Sequence, residues 1–242
     1  ATSGKLIQSR SFGQRIDASP VIAGGILYVA PADHYLYALD AQSFRTRWSA
    51  RMGTTFNGSP AVDNGVVYIG SGDNSVYAFD AQTGAQRWRF VTDGGIFSIP
   101  IIADGQLYIT TQTATLYALD ARAGSLIWRI PGQNFGTHTV AAGAGIVYTD
   151  SNATYMNAIN ASDGSLKWRK TLGAHANVPL LSGTTLYVGT GENISQLDAI
   201  HTADGSLLWS YPVNGGVNGP PALVNGVLYA GSADSNLYAF NA

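Results

Sequence analysis

The amino-acid sequence predicts an all-β fold, a six-bladed β-propeller whose blades are four-stranded antiparallel sheets. Two recurrences carry this prediction, because a period near 40 residues is typical of repeat proteins. The five tryptophans follow one another at spacings of 40, 40, 40 and 41 residues, at Trp48, Trp88, Trp128, Trp168 and Trp209. Six tyrosines recur on the same period, at Tyr28, Tyr68, Tyr108, Tyr148, Tyr187 and Tyr229.

The copy at residues 59–90 indicates how one repeat forms four strands. The first strand opens at Pro60, where a missing backbone donor costs least, and Asn64-Gly65 predicts a tight turn. Strands rich in β-branched and aromatic residues follow at 66–70 and 75–80, and a fourth contains Trp88. Asp80 predicts a turn in which its carboxylate accepts backbone N–H groups. Four short antiparallel strands joined by turns form a propeller blade.

The two ends of the chain predict how the ring closes. Ala1 and Ala242 occupy the same position of the repeat, so the chain starts just before a fourth strand. We expect residues 4–10 to complete the last blade beside residues 236–241, which removes the weakest sheet edge. One domain over residues 1–242 follows. Its blades span about 11–50, 51–90, 91–130, 131–170, 171–211, and 212–242 together with 1–10.

Composition excludes several classes of partner and site. The chain is 12% charged with a net charge of −2, and it has no Lys/Arg cluster of the kind that nucleic acid requires. No apolar run approaches the roughly 18 residues of a membrane helix, so we expect no membrane insertion. The absence of cysteine excludes disulfides and thiolate metal sites. A closed ring of this kind predicts a monomer.

The repeat resembles a known family. Residues 76–88, Val-Tyr-Ala-Phe-Asp-Ala-Gln-Thr-Gly-Ala-Gln-Arg-Trp, are similar to the repeat of the pyrroloquinoline-quinone-like propellers. That group includes quinoprotein alcohol dehydrogenases, the lipoprotein of the outer-membrane β-barrel assembly machinery, and extracytoplasmic sensor domains of bacterial kinases. The resemblance implies that each tryptophan marks an outermost strand and packs between neighbouring blades. It also implies a location outside the cytoplasm, periplasmic or extracellular.

The residues that carry chemistry in the quinoprotein enzymes are poorly matched here. Those enzymes hold the quinone over a tryptophan, bind calcium through Glu, Asn and Asp, and often carry adjacent cysteines. This chain has no cysteine, one glutamate (Glu192), and no tryptophan outside the repeat position. Catalytic motifs such as HExxH and the nucleophile elbow are absent as well. We therefore expect no catalytic residues, no cofactor and no metal.

The best candidates for binding are residues that the repeat does not explain. They lie on the loops between blades, and binding residues usually lie on loops held by a rigid scaffold. Aromatic rings beside amides, imidazoles and charges suit a peptide, a polar ligand or a glycan. In the alternative interpretation, the rings fill the channel and the Asn residues form turns. The candidates are Arg15, Asp17, Phe56, Asn57, Phe97, Asn134, Phe135, His138, His175, Asn177 and Asn218.

Further acids fall outside the repeat pattern. Asp93 is expected in a loop between blades, Asp198 replaces a tyrosine of the third strand, and Asp150 and Glu192 are expected at or near the turn after the second strand.

Three functions remain open to the sequence. The first is a non-enzymatic recognition or scaffold domain outside the cytoplasm that binds a protein, a peptide or a small ligand on its loop face, as in a sensor domain of a larger receptor or kinase. The second is a propeller specialised for a small ligand or a glycan. The third is an enzyme with a quinone or a metal in the channel.

Overall fold

The computed structural model describes residues 4–54, 58–132, 140–151, 154–177, 179–191, 194–217 and 219–242. The chain divides into two compact units, residues 1–100 and 101–242. Both units consist of antiparallel strands, and the described residues contain no helix. The all-β class and the six consecutive blades of a propeller are thus confirmed, whereas the extent of the single domain stays a prediction.

The first unit contains two four-stranded sheets, each with its strands in chain order. The strands of the first sheet are β1 (Val21–Ala23), β2 (Ile26–Val29), β3 (Tyr35–Asp40) and β4 (Thr46–Arg51). The strands of the second are β5 (Ala61–Asp63), β6 (Val66–Ser71), β7 (Ser75–Asp80) and β8 (Gln86–Val91).

The second unit contains three four-stranded sheets and one three-stranded sheet. The third sheet comprises β9 (Ile101–Ala103), β10 (Gln106–Thr110), β11 (Leu116–Asp120) and β12 (Leu126–Ile130). The fourth comprises β13 (Val140–Gly143), β14 (Ile146–Ser151), β15 (Tyr155–Asn160) and β16 (Leu166–Thr171). The fifth comprises β17 (Leu180–Ser182), β18 (Thr185–Gly189), β19 (Gln196–His201) and β20 (Leu207–Pro212). The sixth comprises β21 (Ala222–Val224), β22 (Val227–Gly231) and β23 (Leu237–Asn241).

The recurring tyrosine and tryptophan of each repeat meet across a small residue. In the second sheet, Tyr68 on β6 pairs with Ala78 on β7, and Ala78 pairs with Trp88 on β8. The alanine leaves room for the two rings, whose centroids are 5.8 Å apart. The other four pairs have the same geometry, with centroids 5.9 to 6.0 Å apart. This register explains why both residues recur on one period.

The tryptophans also join consecutive sheets. The indole N–H of Trp48 on β4 donates to the carbonyl oxygen of Ala81, after β7, at 3.0 Å. The Trp48 ring lies directly over Gly84, where a Cβ atom would come within 2.6 Å of the ring. Gly84 has φ of 73°, a left-handed conformation that glycine adopts without cost. The turn after β7 is therefore shaped both by its own backbone and by the neighbouring tryptophan.

The predicted carboxylate turns are confirmed in detail. Asp80 accepts hydrogen bonds from the backbone N–H groups of Gln82 and Thr83, at 3.0 and 2.9 Å. It also pairs with Arg87 at 2.7 Å. Asp40 makes the corresponding contacts in the first sheet, where Phe44 takes the left-handed position with φ of 54°.

The fourth strand predicted for the last sheet is not formed. Residues 4–10 carry no strand, and the sixth sheet consists of β21, β22 and β23. Instead, side chains of this segment bond to the turn between β3 and β4. The amide of Gln8 donates to the Ser43 carbonyl oxygen at 3.0 Å, and the guanidinium of Arg10 donates to the Phe44 carbonyl oxygen at 2.7 Å. The segment therefore contacts the first sheet through side chains while its backbone remains outside any sheet.

Candidate functional site

Five of the eleven predicted binding residues can be placed. Two precede β1, and three lie on segments that join consecutive sheets. They are Arg15, Asp17, Phe97, His175 and Asn177. The other six lie outside the described residues, namely Phe56, Asn57, Asn134, Phe135, His138 and Asn218.

Arg15 and Asp17 form an exposed ion pair ahead of β1. The guanidinium Nε of Arg15 lies 2.7 Å from a carboxylate oxygen of Asp17, and the two side chains are 73% and 42% exposed. The backbone is anchored, since the N–H of Ala32 donates to the Arg15 carbonyl oxygen at 2.9 Å. Exposed ion pairs stabilise a fold by only about 0–1 kcal/mol. Both charges are therefore presented to solvent by a fixed backbone.

Phe97 lies half-buried between two anchored neighbours. Ile96 is fully buried, and its side chain occupies the space that a Cβ atom at Gly70 would need. On the other side, Ser98 is buried and its carbonyl oxygen lies 2.7 Å from where a Cβ at Gly58 would stand. The glycines thus let this segment approach closely. Phe97 is held in place between Ile96 and Ser98 and is partly exposed.

His175 and Asn177 lie on one extended segment of the second unit. The carbonyl oxygen of His175 accepts a hydrogen bond from the N–H of Gly191 at 3.2 Å, and the N–H of Asn177 donates to Gly189 at 2.9 Å. The side-chain amide of Asn177 donates to the carbonyl oxygen of Val217, which accounts for that residue structurally. His175 is exposed and is the better candidate for a ligand contact.

The structure thus brings one pair of candidates into contact, Arg15 with Asp17, whereas His175 and Asn177 share a segment but bond to other residues. Their assignment to binding stays a prediction.

The tryptophans do not fit the quinone site that the repeat family implies. Each of the five packs on the tyrosine of its own sheet. Three of them, Trp48, Trp128 and Trp168, also donate their indole N–H to a backbone carbonyl of the following repeat. A ring held between two sheets cannot also serve as the platform for a quinone. Within the described residues, no group of three or more His, Cys, Asp or Glu side chains is placed to hold a metal ion.

In several repeats, the aspartate in the turn after the second strand accepts a hydrogen bond from a tyrosine of the third strand. The hydroxyl groups of Tyr37, Tyr77 and Tyr238 donate to Asp33, Asp73 and Asp234 at 2.7, 2.5 and 2.6 Å. Burial, followed by the hydrogen bond to Asp73, raises the pKa of Tyr77 to about 12. These tyrosines therefore act as neutral donors to structural carboxylates.

Two acids are buried, which the sequence did not predict. Asp150 is 4% exposed and lies near the end of β14, close to the turn after the second strand as expected. Asp198 is 1% exposed on β19, where one carboxylate oxygen accepts from the amide of Gln196 at 2.9 Å and the other has no hydrogen-bond partner. Burial raises the pKa of Asp198, although the Ser210 hydroxyl, Gln196 and the charge of Lys170 oppose this rise. The replacement of a recurrent tyrosine was the only sequence signal for this acid.

Comparison with known proteins identifies the repeat. The model of a PQQ-type repeat family, described as outer membrane protein assembly factor BamB, matches residues 1–96, 92–182 and 152–242. No curated protein sequence matches the chain. No helix among the described residues is long and apolar enough to cross a membrane.

Several solved structures share the propeller fold. BamB from Moraxella catarrhalis is 17% identical with a TM-score of 0.59, and the match covers 95% of this chain and 84% of that one. Quinohemoprotein alcohol dehydrogenase from Comamonas testosteroni is 15% identical with a TM-score of 0.75, covering 90% and 51%. The computationally designed Ika8 protein is 13% identical with a TM-score of 0.82, covering 94% and 71%. The chain thus spans about half of the dehydrogenase, and likeness at these identities establishes the fold alone.

Proposed function

The chain belongs to the family described as outer membrane protein assembly factor BamB, a family of PQQ-like propellers, and we propose on that premise that it is a non-enzymatic recognition or scaffold domain. Its ligand is a protein or peptide bound by the segments between sheets, and its location is outside the cytoplasm. The observation that carries the proposal is the packing of all five tryptophans on the tyrosines of their own sheets. No tryptophan of this chain is therefore left to serve as the aromatic platform on which a quinone would stack.

Accessible groups before β1 and between β8 and β9 support recognition of a peptide. Arg15 and Asp17 offer a cation and an anion side by side, which matches the paired charges and backbone amides of a polypeptide. Phe97 is a partly exposed aromatic residue, and aromatic residues contribute strongly at protein interfaces. The backbones beneath these side chains are held by hydrogen bonds or close packing, so little ordering is needed on binding.

Peptide capture tests the proposal. Purified protein is screened against a phage library of random peptides, and the enriched peptides are titrated by fluorescence anisotropy. We expect Arg15→Ala/Asp17→Ala and Phe97→Ala to weaken binding at least tenfold. The control Arg122→Ala/Lys167→Ala removes exposed charges near the outer strands and should leave binding unchanged. The proposal is contradicted if no peptide is enriched. It is also contradicted if the enriched peptides bind the Arg15→Ala/Asp17→Ala and Phe97→Ala variants as tightly as the original protein.

A parallel measurement addresses the enzyme alternative. The protein is incubated with pyrroloquinoline quinone and either Ca²⁺ or La³⁺, and dye-linked oxidation of primary alcohols is followed by absorbance. We expect no turnover above a heat-denatured control. Turnover in either incubation would replace recognition by catalysis as the function of this chain.

A further inference from the structure

The outer strand of the fifth sheet, β20, has an exposed apolar edge. We call the last strand of each four-stranded sheet an outer strand, and these are β4, β8, β12, β16 and β20. Leu207, Leu208 and Tyr211 on β20 are 48%, 51% and 46% exposed. A strand at the end of a sheet offers unpaired N–H and C=O groups, and an apolar one is a template for pairing with another chain. β20 is therefore a candidate interaction strand.

β20 differs from the other outer strands in its charge. Its sequence, Leu-Leu-Trp-Ser-Tyr-Pro, contains no charged residue. The cations of the other outer strands are Arg47 and Arg51 on β4, Arg87 and Arg89 on β8, Arg129 on β12, and Lys167, Arg169 and Lys170 on β16. Charged side chains on an edge strand oppose its pairing with another strand of like charge. β20 lacks this protection.

The backbone of Ser210 points outward from this edge. In an antiparallel pair, residues alternate between those bonded to the neighbouring strand and those that face away from it. The N–H of Val213 donates to the carbonyl oxygen of the residue before β19 at 3.0 Å. The backbones of Tyr211 and Trp209 therefore face β19 as well, and Ser210 presents its N–H and C=O groups outward. Pro212 also faces outward, but it has no N–H, so the pairing edge ends there.

We propose that β20 of one copy pairs antiparallel with β20 of a second copy about a two-fold axis at Ser210, which makes the protein a dimer. Each Ser210 donates its N–H to the Ser210 carbonyl oxygen of the other copy. Beside this pair, Tyr211 of one copy stands opposite Trp209 of the other, where side chains approach most closely. Both rings are held by Phe240 of the sixth sheet, at 5.1 and 5.6 Å between centroids. Aromatic cross-strand pairs stabilise a sheet.

Charge explains why a second copy fits β20 better than it fits any other outer strand. Two-fold pairing places the residue at the axis opposite itself. The residues at the position of Ser210 in the other outer strands are Ser49, Arg89, Arg129 and Arg169. Arginine would thus meet arginine at the axis of β8, β12 or β16, and the same pairing of β4 would place Arg47 opposite Arg51. Like charges directly opposite each other destabilise a sheet, and β20 avoids them.

The symmetry of the contact limits the size of the assembly. A two-fold contact uses the same surface on both copies, so it stops at a dimer. The monomer expected from the sequence concerns the contacts between blades, whereas this pairing uses an outer edge. A dimer of this kind therefore leaves the packing between blades unchanged.

Sedimentation velocity at increasing protein concentration tests the dimer. We expect the mass to rise from the 25.4 kDa of one chain to twice that value and no further. Ser210→Arg introduces the residue type that three other outer strands carry at this position, so it suits the repeat and should weaken association at least tenfold. Ser49→Arg makes the same change at the equivalent exposed position of β4 and should associate like the original protein.

Disulfide formation provides a measurement that does not depend on a charged variant. The chain has no cysteine, so Ser210→Cys and Ser49→Cys each carry a single thiol. Opposite residues of a hydrogen-bonded antiparallel pair have Cα atoms about 5.5 Å apart, which suits a disulfide. Under mild oxidation, Ser210→Cys should form a covalent dimer at least tenfold faster than Ser49→Cys. A protein that stays monomeric at every concentration, a Ser210→Arg variant that dimerises fully, or equal crosslinking of the two cysteine variants overturns the proposal.

Discussion

At the scale of single residues, Asp198 is a buried acid in apolar surroundings. It lies on β19 among fully buried neighbours, and one of its carboxylate oxygens has no hydrogen-bond partner. Burial raises its pKa, so the folded state holds the proton more tightly than the unfolded chain does. Stability is then highest at a pH below the unfolded pKa of about 3.9, and it falls as pH rises through the folded pKa. Asp198 therefore destabilises the fold at neutral pH.

We expect Asp198→Asn to stabilise the protein at pH 7 by about 1–2 kcal/mol, because a neutral amide keeps the shape without the buried charge. Urea unfolding at pH 7 and pH 4.5 measures the effect, and the gain should shrink at the lower pH. Asp204→Asn is the matched control. The pKa of Asp204 is lowered by hydrogen bonds from Ser206, so its removal should give no gain. A stabilisation that is equal at both pH values contradicts the assignment to Asp198.

Gly84 is a residue whose side chain is excluded by a neighbour. A Cβ atom there would lie 2.6 Å from the Trp48 ring, and φ is 73°. Gly65 has φ of 72° but open space around it, so it isolates the cost of backbone strain. We expect Gly65→Ala to cost about 1 kcal/mol and Gly84→Ala to cost about 2–3 kcal/mol more, since the ring must move. Thermal and urea unfolding of the two variants compare these costs, and equal losses would show that the Trp48 contact is unimportant.

At the scale of elements, the segment before β1 lacks the contact between a tryptophan and a turn glycine that recurs elsewhere in the chain, and a different pair of residues stands in its place. Trp48 stands over Gly84, which is 36 residues later, and the corresponding positions hold Gln8 and Phe44. In the recurring pair the large side chain belongs to the strand residue, Trp48, whereas here it belongs to the turn residue, Phe44. Phe44 takes φ of 54° without a glycine, and a groove of about 580 Å³ lies between residues 5–8 and this turn.

This exchange predicts coupling between the two positions. We expect Gln8→Trp alone to destabilise the fold, because the new ring meets Phe44. Phe44→Gly alone should lose apolar contact, and the two substitutions together should restore the repeat pair. A double-mutant cycle by urea unfolding should give a favourable coupling of about 1–2 kcal/mol. Additive effects would mean that the segment before β1 does not contact the turn in this way.

The strands were predictable because their signal is repeated, whereas single departures from the repeat were not. Tyr68, Ala78 and Trp88 recur with the same register in five sheets, so comparison of the copies within one chain is enough to find them. Asp150 has no counterpart in other copies, and its burial depends on packing that the sequence does not display. The three-stranded form of the sixth sheet likewise has no signal in the sequence. The same limit holds for binding, since a loop side chain such as His175 follows no period.

At the scale of the whole molecule, stability should vary along the chain, because each sheet of a repeat protein is stabilised mainly by its neighbours. In the second sheet, β6 is buried along its full length and β7 is buried except at its last residue. In the sixth sheet, buried and accessible residues alternate along β22, and no residue of β23 is fully buried. The fold is therefore expected to open first at its last sheet.

Hydrogen–deuterium exchange followed by mass spectrometry tests this order. We expect the amides of β22 and β23 to exchange at least tenfold faster than those of β6 and β7, because the residues of β22 and β23 are much less buried. Equal protection of the second and sixth sheets in dilute protein would mean that the chain opens as one cooperative unit.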